Sequence, residues 1–198
     1  MKTRSLQTLL LLTCVALFSS LPAHAHDVIP GVSGFVGRIL HPFIITEHLF
    51  CLILAGLIAG LYGPRVIWIS LGLLLGGILI GFLAQSVIPI ISWLWMLPLG
   101  AAMIAGLMVL SAAPIGAQFW VGIIFMLGFS VGLETDPEGV FFMDKLRTLG
   151  GLVLAGGAVL LTIGWPLQGT ERSWVRILAR VVSSWITAIA MLVLALSF

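Results

Sequence analysis

Residues 66–84 read VIWISLGLLLGGILIGFLA, a run without a charged side chain. A helix that crosses about 30 Å of hydrocarbon needs roughly 20 apolar residues, and this run has that length. The whole chain is similar, because 61% of its 198 residues are hydrophobic and only 8% are charged. Soluble domains are about 45–50% apolar and about 25% charged. The composition therefore excludes a soluble enzyme, a nucleic-acid-binding protein and a disordered chain, and it predicts an integral protein of the lipid bilayer.

Six apolar segments of this kind follow one another along the chain. Since each is long enough to cross or nearly cross a bilayer, we predict an all-α, polytopic membrane protein with a bundle of six transmembrane helices. The loops that this topology places inside carry a slight excess of basic residues, which puts the N-terminus outside. The segments cover approximately residues 42–62, 66–84, 90–110, 116–133, 148–167 and 176–198.

The N-terminus has the pattern of a secretory signal peptide. A short basic stretch precedes an apolar run from Leu6 to Leu21, and Ala23-His24-Ala25 fits the small-x-small cleavage rule. We predict cleavage after Ala25, so that residues 1–25 are a signal peptide and residues 26–198 form the transmembrane domain. The expected location is the inner membrane of a bacterium. The alternative is an uncleaved first helix.

Glycines recur at a spacing of four residues in several of the predicted spans. Small residues at this spacing let two helix backbones approach closely in lipid, so we predict that these pairs mark helix–helix contacts. The pairs are Gly56 and Gly60, Gly72 and Gly76, Gly77 and Gly81, and Gly128 and Gly132.

Ionisable side chains gather at the start of the first predicted span. His41, Glu47, His48 and Cys51 lie within eleven residues there, although an ionisable group inside a bilayer is costly and usually functional. Pro42 suits the first position of the helix, where no amide hydrogen bond is lost. Imidazole, carboxylate and thiolate are all ligands of borderline divalent metals. The sequence therefore makes these four residues candidate metal ligands.

Helical spacing arranges the four candidates. Cys51 is three residues from His48 and four from Glu47, so the three side chains share a face. His41 and His48 are about 10.5 Å apart along a straight helix, which makes them successive stations for an ion rather than ligands of one ion. The structural alternatives are an ion pair of Glu47 with Arg38, a hydrogen bond of His48 to a helix carbonyl, and Cys51 as a small core residue.

Two further features are candidates for capturing a cation outside the membrane. His26, as the predicted first residue, offers an amine and an imidazole beside the carboxylate of Asp27. The loop Glu134-Thr135-Asp136-Pro137-Glu138 is acidic and attracts cations electrostatically. The structural alternatives are a disordered terminus and an ordinary solvated loop.

These residues resemble the HupE/UreJ family of nickel and cobalt permeases. The resemblance rests on Ala-His-Ala followed by His26, on Gly34-Phe35 and Gly37, on His41-Pro42 with Glu47-His48, and on Gly56. It implies a signal peptide, six helices, and a secondary transporter that brings a divalent metal towards hydrogenase or urease maturation. By motif position, it also implies that His41, Glu47 and His48 are metal ligands.

The chain departs from the family pattern at several of these positions. Glu47 stands where the family has aspartate, and Cys51 replaces a small residue. A second family motif, a His-rich glycine segment ending in glutamate, keeps its glycines and Glu134. Its histidine positions are occupied by Leu127, Phe129 and Val131.

We therefore predict a permease, not an enzyme, that takes up nickel or cobalt across the cytoplasmic membrane, with no permanently bound cofactor and no nucleic-acid partner. Uptake should weaken in acid, since ligands must be deprotonated to bind metal. The main alternative is a non-transporting accessory subunit, partnered with a metalloenzyme or its maturation proteins. A third is a proton-coupled carrier of a small organic solute, with Glu47 as the proton site.

Overall fold

The computed structural model describes residues 35–61, 64–85, 87–88, 94–111, 117–135 and 142–197. These ranges contain seven helices and no strand, which confirms the all-α prediction. The predicted signal peptide, residues 1–25, lies outside the described residues. The helices are α1 (Phe35–Ile44), α2 (Thr46–Leu61), α3 (Pro64–Ala84), α4 (Met96–Ser111), α5 (Ala117–Glu134), α6 (Phe142–Leu167) and α7 (Ser173–Ala195).

Every one of the six predicted apolar segments overlaps a helix, as a polytopic membrane protein requires. Within the described ranges, α3, α6 and α7 are each long and apolar enough to cross a membrane. The bent pair α1 and α2 makes a fourth candidate if the two helices together count as one span. The apolar helix α4 and the apolar part of α5 are shorter.

The first predicted span is not the straight helix that the sequence suggested. The chain bends by 82° between α1 and α2, at Ile45. Pro42 was expected to open the helix, but it lies inside α1, which begins seven residues earlier at Phe35. Ile44, Ile45 and Thr46 are all β-branched, and such residues lower helix propensity. The Ile45 carbonyl accepts the amide of Leu49 at 3.1 Å and so begins α2.

Polar side chains in the interior mostly bond to their own helix. Thr135 donates to the Val131 carbonyl at 2.7 Å, and Ser183 donates to the Ala179 carbonyl at 2.8 Å. Large apolar side chains face outward instead, including Trp185 with 70% exposure. This is the arrangement expected in lipid, where buried polar groups have no water to bond.

The closest helix packing lies between α3 and α5, which run parallel. A Cβ atom added to Gly81 would lie 2.2 Å from the Phe129 carbonyl oxygen, and one added to Gly132 would lie 2.1 Å from that of Ile78. Contacts this close are made by backbone atoms, so only glycine fits. The same holds for Gly77 and Gly128, which confirms the predicted packing role of these two pairs.

A second close contact joins α2 to α6, which also run parallel. A Cβ atom at Gly60 would lie 2.7 Å from the Gly164 carbonyl oxygen, and one at Gly56 would lie 2.9 Å from Ile163 Cβ. For Gly72 and Gly76 the packing prediction is wrong, because a Cβ atom there would meet no described atom within 4 Å. Spacing alone does not show which face of a helix meets a neighbour.

We expect Gly132→Ala to destabilise the protein and Gly72→Ala to leave its stability almost unchanged. The new methyl group at position 132 would force α3 and α5 apart, and overpacking of this kind costs about 1–3 kcal/mol. Thermal unfolding of the two purified variants in one detergent measures the difference. Equal midpoints for both would show that the glycine contact does not hold the helices together.

Candidate functional site

The bend at Ile45 brings two histidines together. The imidazole rings of His41 on α1 and His48 on α2 have centroids 6.0 Å apart, with planes tilted by 57°. The expected separation of about 10.5 Å is therefore wrong, because it assumed a straight helix. The role of the two histidines as stations for an ion stays a prediction. At 6.0 Å the two imidazoles are close enough to face one ion, since metal–nitrogen bonds are about 2.0–2.1 Å long.

His48 is fully buried and has a charged partner on another helix. Its Nε2 atom pairs with the Oε2 atom of Glu134, the last residue of α5. Its Nδ1 atom has no hydrogen-bond partner among the described residues. A buried polar atom without a partner costs free energy, so the bundle keeps this imidazole despite a penalty. The structural alternative, a bond from His48 to a helix carbonyl, is not what the described residues show.

Glu134 connects the buried histidine with the end of the bundle. Its side chain keeps 23% of its surface exposed, whereas that of His48 has none. The sequence assigned Glu134 to an acidic loop and to an incomplete second motif, and it was not among the predicted metal ligands. The predicted topology could have indicated that Glu134 lies near His48, because the start of the first span and the end of the fourth lie at the same end of the predicted bundle.

Cys51 lies one turn below His48 in a contact among three helices. Its Sγ atom donates to the Pro98 carbonyl on α4 at 3.3 Å and lies 3.9 Å from the Ser130 hydroxyl on α5. The thiol is buried and its hydrogen-bonding capacity is used. This arrangement favours the reading of Cys51 as a core residue, while its role as a ligand stays a prediction.

The other predicted ligands are not brought into this pair. Glu47 is half-buried and takes part in no ion pair among the described residues. His26 and Asp27 lie outside the residues that the structure describes. Within the described ranges, no three His, Cys, Asp or Glu side chains are grouped so as to hold a metal ion. The site as described thus consists of the His48–Glu134 pair with His41 beside it.

A sequence profile of the family described as HupE / UreJ protein matches residues 12–194, nearly the whole chain. The chain belongs to the HupE/UreJ family. No curated protein matches it, and no solved structure does. The family match and the apolar helices together identify it as a membrane protein.

In this HupE/UreJ chain, the two stretches that carry the family resemblance meet in space. His48 belongs to the first, around His41-Pro42, and Glu134 ends the second, glycine-rich stretch. The structure joins them through the Nε2–Oε2 contact between α2 and α5. The charged end of the incomplete second motif is thus part of the same site as the first motif.

Arg38 fixes α1 of this HupE/UreJ protein against α6. Its guanidinium donates to the Thr148 hydroxyl and to the Asp144 backbone carbonyl, the latter at 3.2 Å, and its Nη2 lies 3.5 Å from Asp144 Oδ1. Arg38 thus pairs with Asp144 rather than with Glu47. Because His41 follows Arg38 by three residues, the two are neighbours on the surface of α1, and the Arg38 contacts hold the helix that carries the His41 ring.

The backbone of α1 also rests directly on a glycine of α6. A Cβ atom at Gly151 would lie 2.7 Å from the carbonyl carbon of Arg38, whereas one at Gly150 would meet only Phe35 Cε2 at 3.6 Å. The first distance leaves no room for a methyl group, and the second is ordinary contact. The two neighbouring glycines therefore form a matched pair for testing how α1 is held.

We expect Gly151→Ala to loosen α1 and Gly150→Ala to leave it in place. A local destabilisation of about 1 kcal/mol raises the open population roughly fivefold, so amide hydrogen exchange across residues 35–44 should speed up by at least about that factor. Mass spectrometry of both variants in the same nanodiscs measures it. Unchanged exchange in Gly151→Ala would show that α1 is not held by this contact.

Proposed function

We propose that this protein is a permease that takes up a divalent transition-metal ion, nickel or cobalt, across the cytoplasmic membrane through the His48–Glu134 pair. The observation that carries the proposal is the contact of a fully buried imidazole with a carboxylate from a second helix. Neutral imidazole and carboxylate suit borderline divalent ions such as these. Membership of the HupE/UreJ family supports the same function.

The small number of ligands suits transport better than storage. Two protein ligands, His48 and Glu134, would leave the remaining positions around an ion to water. A transport site has to bind strongly enough to draw the ion in and weakly enough to release it.

The exposure of the side chains suggests the direction of entry. Glu134 is partly exposed at the end of α5, and His48 is fully buried below it. In this proposal a hydrated ion meets Glu134 first, loses water, and then binds His48 with His41 beside it. His26, Asp27 and the acidic loop after Glu134 take the earlier capture step, and the energy comes from an ion gradient.

We expect Glu134→Gln and His48→Gln each to reduce nickel and cobalt accumulation to the level of cells with an empty vector. Either change removes one of the two paired ligands. Glu47→Gln should have a smaller effect, because Glu47 takes part in no ion pair among the described residues. Elemental analysis of washed cells, normalised to the amount of protein in the membrane, measures all three.

Glu171→Gln is the control for this experiment. Glu171 is an exposed carboxylate between α6 and α7, and its substitution should leave accumulation unchanged. Wild-type accumulation with Glu134→Gln would contradict the proposed route. If the wild-type protein itself accumulates neither metal above the empty vector, transport is ruled out.

One observation favours a second function, that of a non-transporting accessory subunit beside a metalloenzyme. The chain lacks the histidines of the second family motif, and no three ligands group together in the described residues. The test is made in a strain from which the gene for this protein is deleted. If the protein is an accessory subunit, the Glu134→Gln variant should restore the activity of the partner metalloenzyme as well as the wild type does. A permease would require the intact carboxylate.

A further inference from the structure

We infer that Gln85 is a positioning residue that holds the Glu134 carboxylate against His48. Gln85 directly follows α3, and its Nε2 atom donates to the Leu133 carbonyl at 3.2 Å and to the Thr135 carbonyl at 2.7 Å. These are the residues immediately before and after Glu134. The inference rests on the proposed function, since it assigns a role in the same metal site.

The two hydrogen bonds use the full donor capacity of the side chain. A terminal amide carries two N–H groups, and each finds one carbonyl on the neighbouring helix end. The geometry also fixes the orientation of the amide group, because both acceptors are carbonyl oxygens and require the nitrogen.

The end of α5 depends on such donors. The last carbonyls of a helix have no partner within the helix, and Leu133 and Thr135 are both buried, so water does not supply the missing bonds. Thr135 supplies donors from its own chain segment, since its backbone N–H and its hydroxyl both donate to the Val131 carbonyl, at 3.2 and 2.7 Å. Gln85, at the end of α3, supplies the donors for the Leu133 and Thr135 carbonyls.

Gln85 is itself held firmly enough to position another residue. Its backbone N–H donates to the Gly81 carbonyl at 3.2 Å. Among the glycines of α3, Gly81 is the one that lies closest to the backbone of α5. The close contact between the two helices thus lies one turn before Gln85 and holds the end of α3 beside α5. Ligands need placement within about 0.5 Å to act together, and a fixed donor on both sides of Glu134 provides it.

Gln85→Leu tests the inference, with Gln168→Leu as the matched control. The substitution removes the amide but keeps most of the side-chain volume. Gln168 also lies in a turn at a helix end, and its Nε2 atom has no hydrogen-bond partner among the described residues. Gln85→Asn keeps an amide on a shorter arm and serves as a milder variant if Gln85→Leu fails to fold.

The first measurement separates positioning from a purely structural role. Loss of groups that orient metal ligands weakens affinity about 10–100-fold. We therefore expect the nickel concentration for half-maximal uptake to rise about tenfold or more in Gln85→Leu, and less in Gln85→Asn, with the maximal rate per folded protein nearly unchanged. A fall in maximal rate alone, with the same half-maximal concentration, would overturn the inference. Gln168→Leu should match the wild type in both quantities.

The second measurement does not depend on transport. The imidazole ¹⁵N resonances of His48, assigned with His48→Gln in histidine-labelled protein in nanodiscs, report the contact with Glu134. Gln85→Leu should move them in the same direction as Glu134→Gln, and Gln168→Leu should not. If Glu134→Gln moves them and Gln85→Leu does not, positioning is overturned. If both move them while Glu134→Gln transports nickel normally, the positioning role stands and the proposed function fails.

Discussion

Direct backbone contact between α3 and α5 is the constraint on which the rest of this structure depends. Gly77 and Gly81 on one helix face Gly128 and Gly132 on the other, and in each case a side chain would collide with a peptide group. In lipid, helices gain little from burying apolar surface, so close van der Waals contact holds them together. Gly81 and Gly132 lie within about one turn of Gln85 and Glu134, so this contact holds the two helix ends beside each other.

The partners of the buried polar side chains distinguish the site from the remainder of the bundle. Serine and threonine hydroxyls such as that of Ser183 return their hydrogen bonds to the preceding turn, and the Cys51 thiol bonds to a carbonyl. Among the residues that the structure describes, only His48 is an imidazole paired with a carboxylate from a distant part of the chain. The proposed binding function would account for such a costly pair, whereas packing alone would favour apolar residues.

The sequence predicted the all-α class, the apolar segments, and the glycine contacts at Gly77, Gly81, Gly128 and Gly132. These properties depend on local composition and spacing. The bend at Ile45 was not predictable from residue spacing. Proline was taken as the start of a helix at Pro42, whereas the chain turns three residues later. The pairing of His48 with Glu134 was missed because it joins distant parts of the chain, and only the relative placement of α2 and α5 reveals it.

The bend limits the length of the straight helix at this place in the bundle. Because α1 turns away by 82°, the straight helix that follows the bend is α2, which has 16 residues. A helix of this length extends about 24 Å, less than the roughly 30 Å of a typical hydrocarbon layer. Most of α2 is buried, including nine of the ten residues from Cys51 to Gly60, so neighbouring helices rather than lipid cover its surface. A helix shorter than the hydrocarbon layer is therefore accommodated inside the protein, and the difference in length does not fall on the lipid around it.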